Sequence, residues 1–312
     1  MTLTPVEPLP EREVRVRAPG KINLSLRVGA REEDGYHPLS TVFQAVSVFE
    51  EVVATPSSDR TLSVAGVQAD VVPTDGTNLA LRAVEVLAGH VGVDEGVHLH
   101  LEKGVPVAGG MAGGSADAAA ALLACDTLWA TGLSRAELIE IAAHVGADVP
   151  FLLMGHTAVG QGRGHLLTPA LTRGDFHWAF AVQDRGLSTS DVYTRFDELH
   201  GGVPGPPDGQ DDVPLMHALR AGDPHALGAA LHNDLQMASL DLDPMLAEPL
   251  AVAEDAGALG VIVSGSGPTV AALARSRQHA LALAAAFTAS GVADRVLTAS
   301  GPVAGARVVS SD

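Results

Sequence analysis

Four glycines, a serine and a run of small helix formers stand together in "PVAGGMAGGSADAAAALLA", from Pro106 to Ala124. Glycine lets the backbone bend and lets a ligand approach it closely, whereas alanine propagates a helix, so the two halves of the stretch favour opposite backbone states. A loop that turns directly into a helix reconciles them. The first turn of such a helix presents unpaired N–H groups and about half a positive charge, a ready site for a phosphate. Gly109, Gly110, Gly113 and Gly114 would cradle that anion, and Ser115 would cap the helix or bind the phosphate itself. Three common templates fail. Walker A needs Lys-Ser or Lys-Thr after its last glycine, where Ser115-Ala116 stands; G-x-G-x-x-G is absent from the loop; and a nucleophile elbow needs glycine where Asp117 stands.

Of 19 Lys and Arg residues only Lys21 and Lys103 are lysines, one in "APGKINLSL" and one just before the glycine loop in "LEKGVPVAGG". An ammonium is a compact point charge and a guanidinium a planar fork, so a chain that elsewhere uses arginine marks these two positions for specific work.

The elements that must position these groups follow from periodicity. Alternation over Glu13 to Arg17 and Asn23 to Val28 predicts strands broken at Pro19-Gly20, then a turn at "REEDGYHPL". Strand-like segments at Val42 to Val53 and Thr61 to Val64 precede a helix whose Leu79, Ala83, Val86 and Leu87 share a face. "GVHLHLEKGVPV" returns to alternation. A helix from about Ser115 to Trp129 and a second opened by the capping box Ser134 to Glu137 follow. "WAFAVQD" reads as a buried strand beginning a second half, "HGGVPGPPDGQDDVP" (His200 to Pro214) as a surface loop, and three helical patterns lead to "LGVIVSGSGPTVAALA", a strand, glycine turn and strand. A last helix and two short strands close the chain. Helices and strands interleave without strict βαβ alternation, which predicts an α+β fold in two domains, residues 1–173 and 174–312.

A net charge of −18 argues against a nucleic-acid groove or an anionic membrane surface as partner, so an anion must be held by local donors. The single cysteine, Cys125, fits a reducing compartment, and "MTLTPVEPLPEREVRVR" lacks the basic start and apolar core of a signal peptide; the expected location is cytoplasmic. His98 and His100 share one strand face, but two histidines without a third ligand predict no metal site.

In order along the chain, "PGKINLSL", "DGYHPLSTVFQ", "PVAGGMAGGSADAAAAL", "GADVPFLLMG" and "SGSGPTV" resemble the GHMP small-molecule kinase superfamily, over about Val14 to Ala299. The lysine-asparagine, Gly-Tyr-His and Gly-Ala-Asp-Val-Pro stretches narrow the likeness to its members in non-mevalonate isoprenoid synthesis. The resemblance implies a two-domain fold, an N-terminal half like ribosomal protein S5 domain 2 and a ferredoxin-like C-terminal half. It also implies ATP-dependent phosphorylation of the 2-hydroxyl of a cytidylated methylerythritol, with Mg²⁺ accompanying ATP.

By the same resemblance, Asp148 receives the hydroxyl proton, Lys21 holds that hydroxyl, and Asn23 positions the substrate. Tyr36 stacks on the cytosine, His37 reads its edge, and Thr189 and Tyr193 complete that pocket. ATP lies along Pro106, Gly109, Gly110, Gly113, Gly114 and Ser115, with Asn78, Leu79 and Lys103 on the adenine side. The small molecule carries a cytidine diphosphate group, and the chain is a monomer or homodimer. Two departures stand out: Met111-Ala112 where Leu-Gly is usual, expected to stiffen the loop, and His165 where Glu is common. A kinase for homoserine or mevalonate, or a nucleotide sensor without turnover, are the alternatives.

Overall fold

The apolar alternation that begins at Val14 runs through Pro19-Gly20 without a break. In the computed structural model, which describes residues 13–200 and 212–309, it forms one strand, β1 (Val14–Val28). The loop expected over His200 to Pro214 lies largely outside the described residues. Instead of ending the strand, Pro19-Gly20 shifts its register against β2 (Leu39–Ser57), and a second shift lies between Asn23 and Ser25. Such irregularities are tolerated because the ladder resumes beyond them, and they re-aim side chains. Before the first shift, Val14, Val16 and Ala18 pack with the helices; after it, Ile22 and Leu24 enter the opposite core. The change of face turns Lys21 toward the glycine loop, where its N–H also meets Met111 O at 3.1 Å.

The first sheet continues through β3 (Arg60–Gly66), β4 (Gly96–Lys103), β5 (Thr157–Gly162) and β6 (Leu166–Pro169), in the order β1-β2-β4-β3 with β5 and β6 branching from β2. Its helical face is covered by α1 (Leu79–Val91), α2 (Gly113–Trp129), α3 (Arg135–Ala142) and α4 (Val149–Met154). The predicted capping box at Ser134 and Glu137 opens α3. The second sheet starts at β7 (Phe176–Val182). After α5 (Thr189–His200), α6 (Val213–Ala221), α7 (Pro224–Ala229), the short β8 (His232–Asn233), α8 (Gln236–Leu242) and α9 (Ala247–Asp255), it is completed by β9 (Gly260–Val263), β10 (Val270–Ala274) and β11 (Arg295–Gly301). Its order is β11-β7-β10-β9, antiparallel throughout. The last helix, α10 (Arg277–Ser290), lies on one face with α9. β12 (Arg307–Val308) and β8 both return to pair with β1, so the second half threads back into the first sheet.

The two faces of β7 explain how the sheets stay together. Ala179 and Ala181 pack toward α10, whereas Phe176, Trp178 and Phe180 face Ile22, Leu24, Val42 and Val46 of the first sheet. Trp178 is fully buried there and donates its Nε1–H to Gln44 Oε1 at 3.3 Å. A shared apolar core of this kind holds the halves as one body and places the cleft at their common rim.

Helix α2 begins at Gly113, two residues before the expected start. Its N-cap is Ala112, with φ 61°, so no capping side chain competes for the N–H groups of Gly113, Gly114 and Ser115; Ser115 sits within the first turn and is not the cap. Ala112 thus occupies the left-handed region that a Cβ disfavours, and Met111 beside it is fully buried in the core between the sheets.

Lys103 does not turn toward the glycine loop's open side. Its ammonium lies behind the loop, 2.5 Å from Glu50 Oε1 on β2 and 2.5 Å from Asp117 Oδ2 on α2, and all three side chains are buried. The side chain is thus engaged by two carboxylates and does not line the cleft, on whose adenine side the resemblance places this residue. Burial lowers the lysine's affinity for its proton, but the two carboxylates outweigh it and the net direction is upward. Burial and the Asp117 charge push Glu50 up to about 8, and burial pushes Asp117 up to about 6. Asn78 likewise faces inward, its Oδ1 accepting from Ala80 N at 2.8 Å as the α1 cap and its Nδ2 donating to Pro73 O at 2.7 Å.

Two expectations follow. Ala112→Gly should raise the urea midpoint by an amount equal to a few tenths to about 1 kcal/mol, because glycine accepts the left-handed backbone; a lowered midpoint would refute the strain at this cap. The raised carboxyl pKa values mean that the folded chain keeps protons which the unfolded chain releases. Their stabilisation is full below about pH 4 and declines as pH rises through 6 to 8. Wild type should therefore lose at least about 1 kcal/mol relative to Glu50→Gln between pH 5 and pH 9, measured by urea unfolding, and parallel pH profiles would contradict it.

Candidate active site

The cleft at the rim of the two sheets is a cavity of about 590 Å³. Several elements bring predicted groups to it. β1 supplies Lys21 and Asn23, the loop and α2 start supply Gly109, Gly110, Gly113, Gly114 and Ser115, and the turn before α4 supplies Asp148. α5 adds Thr189 and Tyr193, the β9–β10 turn adds Gly265, Ser266 and Gly267, and Leu79 lies on the wall beneath Gly114. Pro106 stays buried behind the loop, with its Cβ against Gly109.

Lys21 is the best-determined group. Only 4% exposed, its Nζ donates to Asn23 Oδ1 at 2.6 Å and to Gly110 O at 2.7 Å. Burial lowers its pKa and the charge of Asp148 opposes that shift. Asn23 is oriented in turn, its Nδ2 donating to Thr41 Oγ1 at 2.8 Å and Thr41 Oγ1 donating to Ser25 O at 2.7 Å. This orientation leaves the amide with one defined face toward the cavity. Asp148 occupies the N-cap position of α4 but makes no capping hydrogen bond, so its carboxylate is free to face the cleft. It also acts on Tyr193, whose phenol is pushed up by burial and by the Asp148 charge.

The second half reaches the same site through Ser264, whose Oγ donates to Gly110 O at 3.1 Å. Gly110 has φ 72°, and a Cβ there would come within 2.0 Å of Ser264 O, so only glycine fits. Gly265 (φ 58°) closes directly over Lys21 Nζ and Asn23 Oδ1. Thr269 is buried beside Gly109 with its Oγ1 unpartnered, and Thr189 Oγ1 lies 3.0 Å from Ser266 Oγ, tying α5 to the same turn.

A second cavity, of about 440 Å³, adjoins the first and is lined by Tyr36, His37, Thr189 and Tyr193 among others. Tyr36 is 54% exposed, with the Arg163 guanidinium carbon 3.6 Å from its ring centroid. The His37 ring packs against Tyr193, with centroids 5.2 Å apart, and its Nδ1 lies 2.8 Å from Gly29 O, which requires that nitrogen to carry the proton. Its Nε2 faces Asp197 Oδ1 at 3.4 Å. The imidazole therefore forms a wall of the cavity with both ring nitrogens facing groups of the protein.

Sequence reasoning passed over Glu50 and Asp117, the partners of Lys103, and Arg163, which lines both cavities. A carboxylate inside the apolar run "VSVFEEVVA" and another inside an alanine-rich helix were the available signals for the first two. Arg163, at a turn between two glycines, carries none.

Comparison with known proteins points to one family. The GHMP kinases N terminal domain matches residues 78–156 and the GHMP kinases C terminal domain residues 215–293. A relative from Thermobifida fusca named 4-diphosphocytidyl-2-C-methyl-D-erythritol kinase is 54% identical over 304 residues, covering 95% of this chain and 98% of its own. One of the same name from Mycobacterium tuberculosis is 49% identical, covering 97% and 95%. Among solved structures, a 4-(cytidine 5'-diphospho)-2C-methyl-D-erythritol kinase superposes with TM-score 0.74 at 30% identity over 92% of this chain and 98% of that one. A mevalonate kinase from L. major (TM-score 0.73, 16% identity, covering 93% and 96%) shares the fold. With half-identical relatives spanning both sheets and both domain models matched, the chain belongs to the 4-diphosphocytidyl-2-C-methyl-D-erythritol kinase family of the GHMP kinases.

Proposed function

We propose that the chain transfers the γ-phosphoryl group of ATP to the 2-hydroxyl of 4-diphosphocytidyl-2-C-methyl-D-erythritol, in isoprenoid precursor synthesis. The observation that carries this reading is the convergence of Lys21, Asn23 and Asp148 on one cavity with an uncapped helix start, beside a second cavity walled by Tyr36 and Tyr193. The first pair of features suits phosphoryl transfer to an alcohol. The aromatic neighbour suits a pyrimidine.

ATP fits the glycine loop on its own terms. The N–H groups of Gly113, Gly114 and Ser115 have no capping oxygen to satisfy them, and a phosphate would complete them. Magnesium fits as a companion of the nucleotide. Among the described residues no group of three or more His, Cys, Asp or Glu forms a cage, and Mg²⁺ characteristically takes one or two protein oxygens plus phosphates and waters. Ser115 and Asp148 are the oxygen donors at hand, and the ion would neutralise charge on the phosphate oxygens.

In this reading Lys21 holds the acceptor hydroxyl and Asp148 receives its proton as the oxygen attacks phosphorus. Because the transition state of phosphoryl transfer is loose, positioning and charge stabilisation matter more than the strength of the base. Lys21, fixed through Gly110 O and Asn23, provides that positioning. A cytoplasmic setting suits the buried Cys125, whose thiol burial pushes up to about 12, and among the described residues no helix is long and apolar enough to cross a membrane.

Asp148→Asn should keep ATP affinity within a few-fold while kcat falls by about 10²- to 10⁴-fold, measured as ADP release with the cytidylated substrate. Unchanged kcat would remove Asp148 from the reaction. Tyr36→Ala should raise KM for the cytidylated substrate by roughly five- to 150-fold, the equivalent of about 1–3 kcal/mol of stacking, and leave KM for ATP unaltered. Equal effects on both constants would refute the base pocket, and turnover with homoserine or mevalonate instead would keep the kinase chemistry but replace the substrate.

A further inference from the structure

Arg163 stands where the two cavities meet. Five residues line both, namely Leu39, Ala147, Arg163, Thr189 and Tyr193, and Arg163 alone among them carries a charge. Its backbone is fixed at the tip of the β5–β6 hairpin between Gly162 (φ 65°) and Gly164 (φ 95°), where Gly164 N donates to Gln161 O at 3.0 Å. From there the guanidinium carbon lies 3.6 Å from the Tyr36 ring centroid, and Nη2 donates to Asp34 Oδ2 at 2.7 Å. The other cations nearby are placed differently. Arg31 lines only the smaller cavity, its Nε donating to Gly35 O at 3.1 Å, and Lys21 lines only the larger.

We propose that Arg163 is a specificity-determining residue that binds the diphosphate of the substrate; this rests on the function proposed above. A molecule with its base against Tyr36 and its acceptor hydroxyl at Lys21 must carry its anionic link across the seam between the cavities. A guanidinium whose carbon sits over an aromatic ring carries its N–H donors around its planar rim. One edge is held by Asp34, and the remaining donors match the spacing of phosphate oxygens. The same group therefore backs the ring that receives the base and marks the position of the diphosphate. A nucleoside without phosphates would engage only the first of these functions.

The test is equilibrium binding of cytidine and of cytidine 5′-diphosphate to the full chain, for wild type, Arg163→Met and Arg163→Lys, with circular dichroism to verify folding. Wild type should prefer the diphosphate, and that preference should weaken as salt is raised. In Arg163→Met the ratio of the two affinities should fall roughly ten- to hundredfold, as expected for loss of a charge-assisted contact. Arg163→Lys should recover part of the ratio, since it keeps the charge without the planar fork. If Arg163→Met weakens both ligands equally and keeps the ratio, the arginine only supports Tyr36 and the inference is overturned. If wild type binds neither ligand, the cytidine reading itself fails and takes the inference with it.

Discussion

One carbonyl ties the machinery together. Gly110 O accepts from Lys21 Nζ of the first sheet and from Ser264 Oγ of the second, so a single backbone oxygen in the glycine loop joins both halves of the molecule. Its position demands glycine twice over, by a positive φ and by the contact that a Cβ would make with Ser264 O. Lys21 is buried and would be costly to leave unpaired, so this contact and Asn23 together account for the lysine's presence in the core. Glycine loop, ammonium and closing turn are consequently held in register by one shared acceptor.

That register depends on how β1 was bent. The shift at Pro19-Gly20 moves the strand's apolar residues from one core to the other, and the polar ones turn with respect to them. Without it, a strictly alternating strand would keep one face against the helices along its whole length. The second sheet then packs its aromatic face onto Ile22 and Leu24, directly beneath Lys21 and Asn23. Core packing and the cleft thus share one strand, apolar side chains on one face and cleft-lining residues on the other.

The two lysines illustrate how similar sequence signals lead to different ends. Both are rare, both are buried, and both lie next to the glycine loop. Lys21 meets neutral acceptors and a carboxylate across a cavity, which leaves its charge available to a ligand. Lys103 meets Glu50 and Asp117 at hydrogen-bonding distance and braces β2, β4 and α2 together behind the loop. Leaving Asp117 there without the ammonium would bury an uncompensated charge, so the network ties the α2 start to β2 and β4 even where its net contribution to stability is small.

What the sequence determined by itself was local. The glycine-to-alanine transition implied a loop running into a helix, periodicity implied most of the strands and helices, and the capping box marked the start of α3, because each depends on neighbours a few residues apart. The α+β architecture and the kinase family were also legible, since the motifs that carry them are short and continuous. Only the tertiary structure decided that Pro19-Gly20 bends β1 without ending it, that β12 and β8 return to the first sheet, that Asn78 caps a helix, and that Arg163 lies between two cavities. These are outcomes of pairing and burial between residues distant in sequence, and the energy that selects among them comes from partners that no local pattern reveals.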